Sequence, residues 1–257
     1  MATLADIREF LDATLNITSI PDYPNAVNGV QFESEREITH VAAAVDFSTS
    51  SVNAAVGSGA QLLLVHHGMF WSGVQPIIGY RFRQLRALLK HGIAVYSAHL
   101  PLDIHSEFGN NALLAKRLRL APSGGFARYQ TVEVGLRGTS EVPTQELAER
   151  ARALAQEFGG TLVCTPFSAD RITRRWGLCT GAGADSSTLR EAALAGLDTL
   201  IVGEGPHHTA VEARELGIVV LYAGHYATET LGVRALADAT ARRFAIQSSF
   251  IDTPTGL

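Results

Sequence analysis

Cysteine is scarce in this chain. There are two in 257 residues, Cys164 and Cys179, and neither belongs to a CxxC pair. That excludes a thiolate metal motif and a disulfide framework, and it points to buried thiols in a reducing, cytoplasmic setting. Long hydrophobic runs are missing too. No stretch approaches the roughly 18 apolar residues of a membrane span. The opening residues, Met1 to Glu9, carry acids and read as an amphipathic helix, not a secretory leader. Clustered Lys and Arg are absent and the formal net charge is -4, so there is no strong nucleic-acid signal. Nor is there a Gly-rich phosphate loop; the Gly181-Ala182-Gly183-Ala184 stretch is a weak anion-binding candidate only. What is present is an ordinary globular composition, 46% hydrophobic and 18% charged, enough for one large domain or two small ones.

Apolar runs of strand length alternate with helical patterns, and the alternation predicts an α/β protein. Strands are expected at residues 40–45, 61–65, 93–97, 131–136, 161–164, 176–180, 199–202, 218–222 and 246–251. Helices are expected at 4–15, 48–58, 80–90, 110–118, 144–158, 186–195, 208–216 and 228–244. The chain also repeats itself. The run from Gly59 to Gly68 answers the run from Gly196 to Gly205, and Gly92-Ile93-Ala94-Val95 answers Gly217-Ile218-Val219-Val220. Upstream, Ala44-Val45-Asp46 answers Cys179-Thr180-Gly181. These matches predict two related α/β halves, an internal duplication, with mixed or parallel sheets facing a central cleft. The expected halves are residues 1–125 and 126–257, joined near Ala121-Pro122-Ser123-Gly124-Gly125.

Three of the expected strands deliver imidazole or carboxylate where they stop. His66-His67 ends the run Leu62-Leu63-Leu64-Val65. Ile93-Ala94-Val95-Tyr96 leads to His99 and Asp103, and Ile218-Val219-Val220-Leu221 leads to His225 and Glu229. In parallel or mixed sheets such strand ends face a crevice. Imidazole plus carboxylate is the donor set of a hydrolytic metal site, and one such set can hold two ions. His225 and Glu229 are i and i+4 at a helix start and converge on one point. A carboxylate can bridge two cations, which makes Glu229 the candidate bridge; its plainer role is a helix-start carboxylate favoured by the dipole. Asp103 is a candidate ligand or a turn cap. His99, Glu204 and the pair His207-His208 are candidate pocket residues. Asn28 and Gln31 are candidate orienting amides or a simple turn. His105 and Glu107 read as helix-start residues, and His40 and His91 as structural.

The ordered set Asn28-Gly29-Val30-Gln31, His66 to Trp71, His99 to Asp103 with Gly109-Asn110-Asn111, Gly203-Glu204 with His207-His208, and Gly224 to Glu229 resembles the Nif-three-like dinuclear metal-centre family, also labelled GTP cyclohydrolase type-two homologues. The resemblance runs from about residue 20 to about residue 235. It implies a di-metal site between two related α/β halves, with His66, His67, Asp103, His225 and Glu229 as ligands, Glu229 bridging, and a toroidal homohexamer. One position departs from the pattern: Gly68 stands where the family usually has Pro, which keeps the turn but should loosen it.

The expected function is therefore a metal-dependent hydrolase. Two divalent ions per chain (zinc, iron, manganese, cobalt or nickel) would clamp a small, nucleotide-like substrate and acidify a water. His99 and Glu204 are the catalytic candidates for proton transfer. The alternative is a non-enzymatic metal chaperone or store that delivers iron or zinc to a partner. A substrate pocket beside the donors would favour the hydrolase, since a carrier needs only ion access.

Overall fold

The structure is a computed structural model that describes residues 2–257. The chain divides into two compact units. One comprises the residues up to Leu102 together with Gly232–Thr253, and the other comprises Asp103–Leu231 with Pro254–Leu257. The sequence reading sets a single division after residue 125. Here Asp103 falls in the second unit, and a C-terminal segment returns to the first.

In the first unit, helix α1 (Leu4–Leu15) opens on a capping box of Thr3 and Asp6. Strands β1 (Gly29–Phe32), β2 (His40–Asp46), β3 (Leu62–His67) and β4 (Ala94–Ser97) follow, with α2 (Thr49–Ser58) and α3 (Gly79–His91) in the crossovers. Helix α9 (His225–Phe244) leads into β11 (Gln247–Phe250), which adds parallel to β2. The sheet order is β1-β4-β3-β2-β11. β2, β3 and β4 run parallel, and β1 is antiparallel to β4. Every residue of β3 is buried, so it reads as an unbroken apolar run without alternation. Leu63, Val65, Val95 and Val52 meet in the core of this unit.

The short helix α4 (Leu100–Asp103) ends on the first residue of the second unit, which continues with α5 (Asn110–Arg117), β5 (Pro122–Tyr129), β6 (Val132–Pro143), α6 (Thr144–Glu157) and β7 (Val163–Cys164). There follow β8 (Ile172–Cys179), α7 (Ser186–Leu194), β9 (Thr199–Val202), α8 (His207–Glu215) and β10 (Val219–Tyr222). The sheet order is β5-β6-β8-β9-β10-β7. β8, β9 and β10 are parallel, while β5, β6 and β7 pair antiparallel. Both sheets are mixed, as expected for the α/β class.

The repeat is visible in the topology. β2-α2-β3-α3-β4 has the same order and sense as β8-α7-β9-α8-β10, and each set ends on a short antiparallel neighbour, β1 or β7. The outer neighbour differs: β11 lies parallel on β2, whereas β6 lies antiparallel on β8. Two expectations are corrected. Pro122-Ser123-Gly124-Gly125 is the start of β5 and not a link, because the hairpin with β6 supplies its backbone partners. Gly29-Val30-Gln31 is strand β1 and not a bare turn.

Because Leu63 is fully buried among β-branched and aliphatic neighbours, Leu63→Ala should cost about 2–5 kcal/mol. Chemical denaturation should show a lower midpoint at unchanged slope. A loss below about 1 kcal/mol would mean that this strand is not at the centre of the core.

Candidate metal centre

The carboxyl ends of the parallel strands carry the donors. In the first unit, β2 and β3 pair so that Asp46 lies opposite His67. That register puts the Asp46 Oδ1 2.9 Å from the His67 Nδ1. The neighbouring His66 turns its Nδ1 to the Ala98 carbonyl at 2.8 Å. His99, just past β4, places its Nδ1 2.8 Å from Asp22 Oδ1, and its backbone N–H donates to Asn28 Oδ1 at 2.7 Å. Burial pushes the Asp22 carboxyl up, but the hydrogen bond and charge of His99, with Asn28 and the Tyr23 amide, bring it below the ordinary value. A carbonyl or an ionised carboxylate only accepts, so each Nδ1 carries the proton and each Nε2 is the basic nitrogen. His66, His67 and His99 are all buried, and one ligand atom from each lies within 4.8 Å of the others. This group can hold a metal ion.

In the second unit, His225 opens α9 and Glu229 stands one turn on, with His225 Nε2 3.0 Å from Glu229 Oε2. The His225 Nδ1 lies 2.8 Å from Glu204 Oε1. Burial pushes the His225 imidazole down, yet the Glu229 and Glu204 carboxylates outweigh it and hold it up at about 9. Asp103 is buried, and its Oδ1 accepts from Asn110 Nδ2 at 2.8 Å and from Thr180 Oγ1 at 3.4 Å. The adjacent Gly181 N–H donates to Thr228 Oγ1 at 3.1 Å. The loop after β8 thus touches both Asp103 and the turn that carries Glu229. Cys179 is no thiolate donor: burial, then the charges of Asp103 and Glu229, push its thiol well up.

Other expected residues take lesser places. Glu204 backs His225, while His207 and His208 are exposed at the start of α8. His105 Nδ1 accepts from the Phe108 N–H at 3.0 Å, a turn cap, and Glu107 is exposed. His40 bridges Ser58 and Ser249, a structural role as read. Asn28 and Gln31 are orienting amides: Gln31 Oε1 accepts from Met69 N at 2.6 Å, and its Nε2 donates to the Ala26 and Val27 carbonyls. The Gln31 amide fills the space that a Cβ at position 68 would need. Gly68 is therefore where the chain makes room for that amide.

The sequence marks no site role for Asp22, Asp46, Trp71 or Thr180, and Gly181 stands out there only within the weak anion-binding stretch. Asp46 carries a usable signal, since it ends a strand as the histidines do. Asp22 has none, because its partner His99 is 77 residues away in sequence. Trp71 packs against His67 and His99, with ring centroids 4.7 and 4.5 Å apart. Beside His67 and Asp46 lies a cavity of about 460 Å³, within the first unit.

Imidazole and carboxylate donors at the ends of parallel strands define an α/β protein with a side-chain group that could hold a metal ion. Residues 2–255 match the Duf34/NIF3 (NGG1p interacting factor 3) family, and the chain belongs to it. It is 37% identical over 254 residues to the GTP cyclohydrolase 1 type 2 homolog of Deinococcus radiodurans, covering 98% of this chain and 94% of the relative. Among solved structures, protein ybgI, described as of unknown function, is 33% identical with a TM-score of 0.88, covering 99% of this chain and 100% of that one. TTHA1606 from Thermus thermophilus is 35% identical with a TM-score of 0.82, covering 98% and 99%.

Gly181 has φ +62, and a Cβ there would overlap Glu229 Oε1 and come 3.3 Å from His225 Nε2. Gly181→Ala should therefore cost about 1–2 kcal/mol for the left-handed backbone and also displace Glu229, weakening metal binding at least about ten-fold, or 1.4 kcal/mol. Gly217 has φ +72 with nothing within 4 Å of a Cβ. Gly217→Ala should show the backbone cost alone, and equal metal affinity in the two variants would reject the role given to Gly181.

Stability should also depend on pH through His225. The folded His225 holds its proton up to about 9 against an ordinary value of 6.5. The metal-free chain therefore has this stabilisation in full below pH 6.5 and loses it as pH rises through 9. Denaturation midpoints measured across that window should fall, and His225→Gln should flatten the fall. An unchanged slope in the variant would show that another group is responsible.

Proposed function

We propose that this chain is a dinuclear divalent-metal-dependent hydrolase acting on a small, nucleotide-like molecule. The proposed donors are His66, His67, Asp103, His225 and Glu229, with Glu229 bridging two ions. The observation that carries the reading is the shared bonding of the imidazoles. His66, His67, His99 and His225 all commit Nδ1 to a carbonyl or carboxylate oxygen. The Nε2 of each ring is thereby oriented toward a cation, as partners behind metal-ligating histidines characteristically arrange, and His225 would first give up the proton it holds in the metal-free chain. Nitrogen and oxygen donors suit zinc, iron, manganese, cobalt and nickel alike.

Bound ions would supply Lewis acidity and a water of lowered pKa. The chain's own residues would do the rest. His99, backed by Asp22, and Glu204, in contact with His225, are the groups proposed to handle protons. The cavity beside His67 supports a hydrolase over a metal chaperone or store, because a carrier has no need to enclose a substrate. Relatives named GTP cyclohydrolase 1 type 2 homolog support a nucleotide-like substrate. The proposal extends to a cytoplasmic homohexamer. Free Cys164 and Cys179 fit a reducing compartment, and exposed Leu89 and Leu194 provide apolar surface that self-association would cover.

Elemental analysis under saturating metal should give two ions per chain, and Glu229→Gln should lose at least one of them together with any hydrolytic activity. Glutamine keeps the size and helix propensity while removing the charge that offsets two cations. Retention of two ions by Glu229→Gln, with only a small fall in melting temperature, would defeat the bridging assignment.

A further inference from the structure

The cavity beside His67 has features that metal binding does not require. Its walls include Phe47, Met69, Trp71 and Tyr80, so it presents flat apolar faces. At about 460 Å³ it is of a size that encloses a small molecule. Two ionised side chains line it besides the histidine. Asp46 is held against His67 Nδ1 at 2.9 Å. Arg81 is half-buried, and its guanidinium carbon lies 5.9 Å from the centroid of the Tyr80 ring. Among the described residues no carboxylate lies within ion-pair distance of Arg81. A third feature is the start of α3. Ile78 gives no side-chain cap, and Tyr80 and Arg81, from the first turn, both line the cavity. An uncapped helix start adds positive potential to that of the guanidinium.

We propose that this cavity binds a flat aromatic or heteroaromatic group bearing a phosphate or carboxylate, with the ring against Trp71 and Tyr80 and the anion on Arg81. The charge balance decides the class. Asp46 is already engaged by an imidazole, whereas Arg81 is uncommitted and half-desolvated, so the site lacks an anion and not a cation. Aromatic walls add a stacking preference for a ring over an aliphatic chain. Trp71 packs on both His67 and His99, so a ring resting on it lies next to the imidazole cluster. The inference rests on the hydrolase reading for its consequence, since it makes the aromatic anion the part of the substrate held beside the donors. It does not rest on that reading for binding itself.

The test uses the whole chain, stripped of metal by chelator and dialysed. Trp71 is one of two tryptophans, and the other, Trp176, is fully buried. Fluorescence should therefore report the cavity, with Trp71→Phe confirming the source. Phenyl phosphate and benzoate should give a saturable change. Inorganic phosphate, benzyl alcohol and benzylamine should bind at least ten-fold more weakly, and Arg81→Gln should weaken phenyl phosphate and benzoate by at least ten-fold. Equal binding of benzyl alcohol or benzylamine, or unchanged binding by Arg81→Gln, would overturn the proposal. So would a Trp71 signal that responds to dilution and not to these ligands, with sedimentation showing that a second copy covers the cavity. Because no metal is present, a failure here leaves the two-ion stoichiometry standing, and a failed stoichiometry leaves this result standing.

Discussion

The imidazoles of the two donor groups share one arrangement: Nδ1 is bonded to an oxygen, which fixes the ring and the direction of Nε2. Much of the surrounding structure exists to keep those oxygens in place. For His67 the oxygen belongs to Asp46, and it is in reach because the β2–β3 register sets the two residues side by side. A one-residue slip would send the Asp46 side chain to the opposite face of the sheet. For His66 it is the Ala98 carbonyl, fixed by the end of β4. For His99 it is Asp22, whose second oxygen also accepts from Asn28 and from the Leu100 amide. Charge-assisted bonds of this kind are stronger and more directional than neutral ones. The rings are therefore held by the sheet and not by their own torsional preferences.

In the second unit the balance of charge is different. Two carboxylates, Glu204 and Glu229, engage a single imidazole, and Asp103 is buried at the end of α4, where it accepts from Thr180 of the loop after β8. The metal-free site relieves this by keeping a proton on His225. A divalent cation would replace that proton and offset the acids more fully. Any ion that binds the folded form alone also stabilises the fold by mass action. Metal occupancy and stability are then one linked quantity, and a site rich in acids is a cost to the empty chain that the loaded one does not bear.

Close backbone approach is the second requirement. Gly181 and Gly68 both stand where a side chain would strike a functional group, Glu229 in one case and the Gln31 clamp in the other. The repeat makes the comparison instructive. Asp46 ends β2, and its counterpart Gly181 lies two residues past the end of β8. One supplies a carboxylate to an imidazole; the other supplies empty space for a carboxylate that arrives from α9. The two halves reached donor groups by opposite means at matching positions.

Period and punctuation were enough for most elements. The unbroken apolar runs of β3, β4, β9 and β10 and the Gly-ended helices between them declared a parallel α/β core, because strands covered on both faces have no polar side to show. β1 and β5 escaped, since Asn-Gly and Pro-Ser-Gly-Gly look like turns until a partner strand satisfies their backbone. The strand-end histidines and acids were legible because their type and position are local properties. Their partners were not. Asp22 reaches His99, and Thr180 reaches Asp103, across separations of 77 residues. No local pattern encodes such a bond. The sequence by itself determined which donors the chain carries and at which strand ends they sit. Only the tertiary structure decided which nitrogen of each ring faces an oxygen, which glycine had to be a glycine, and that an aromatic cavity with an uncommitted arginine opens beside His67, because those follow from what lies across the fold and not along the chain.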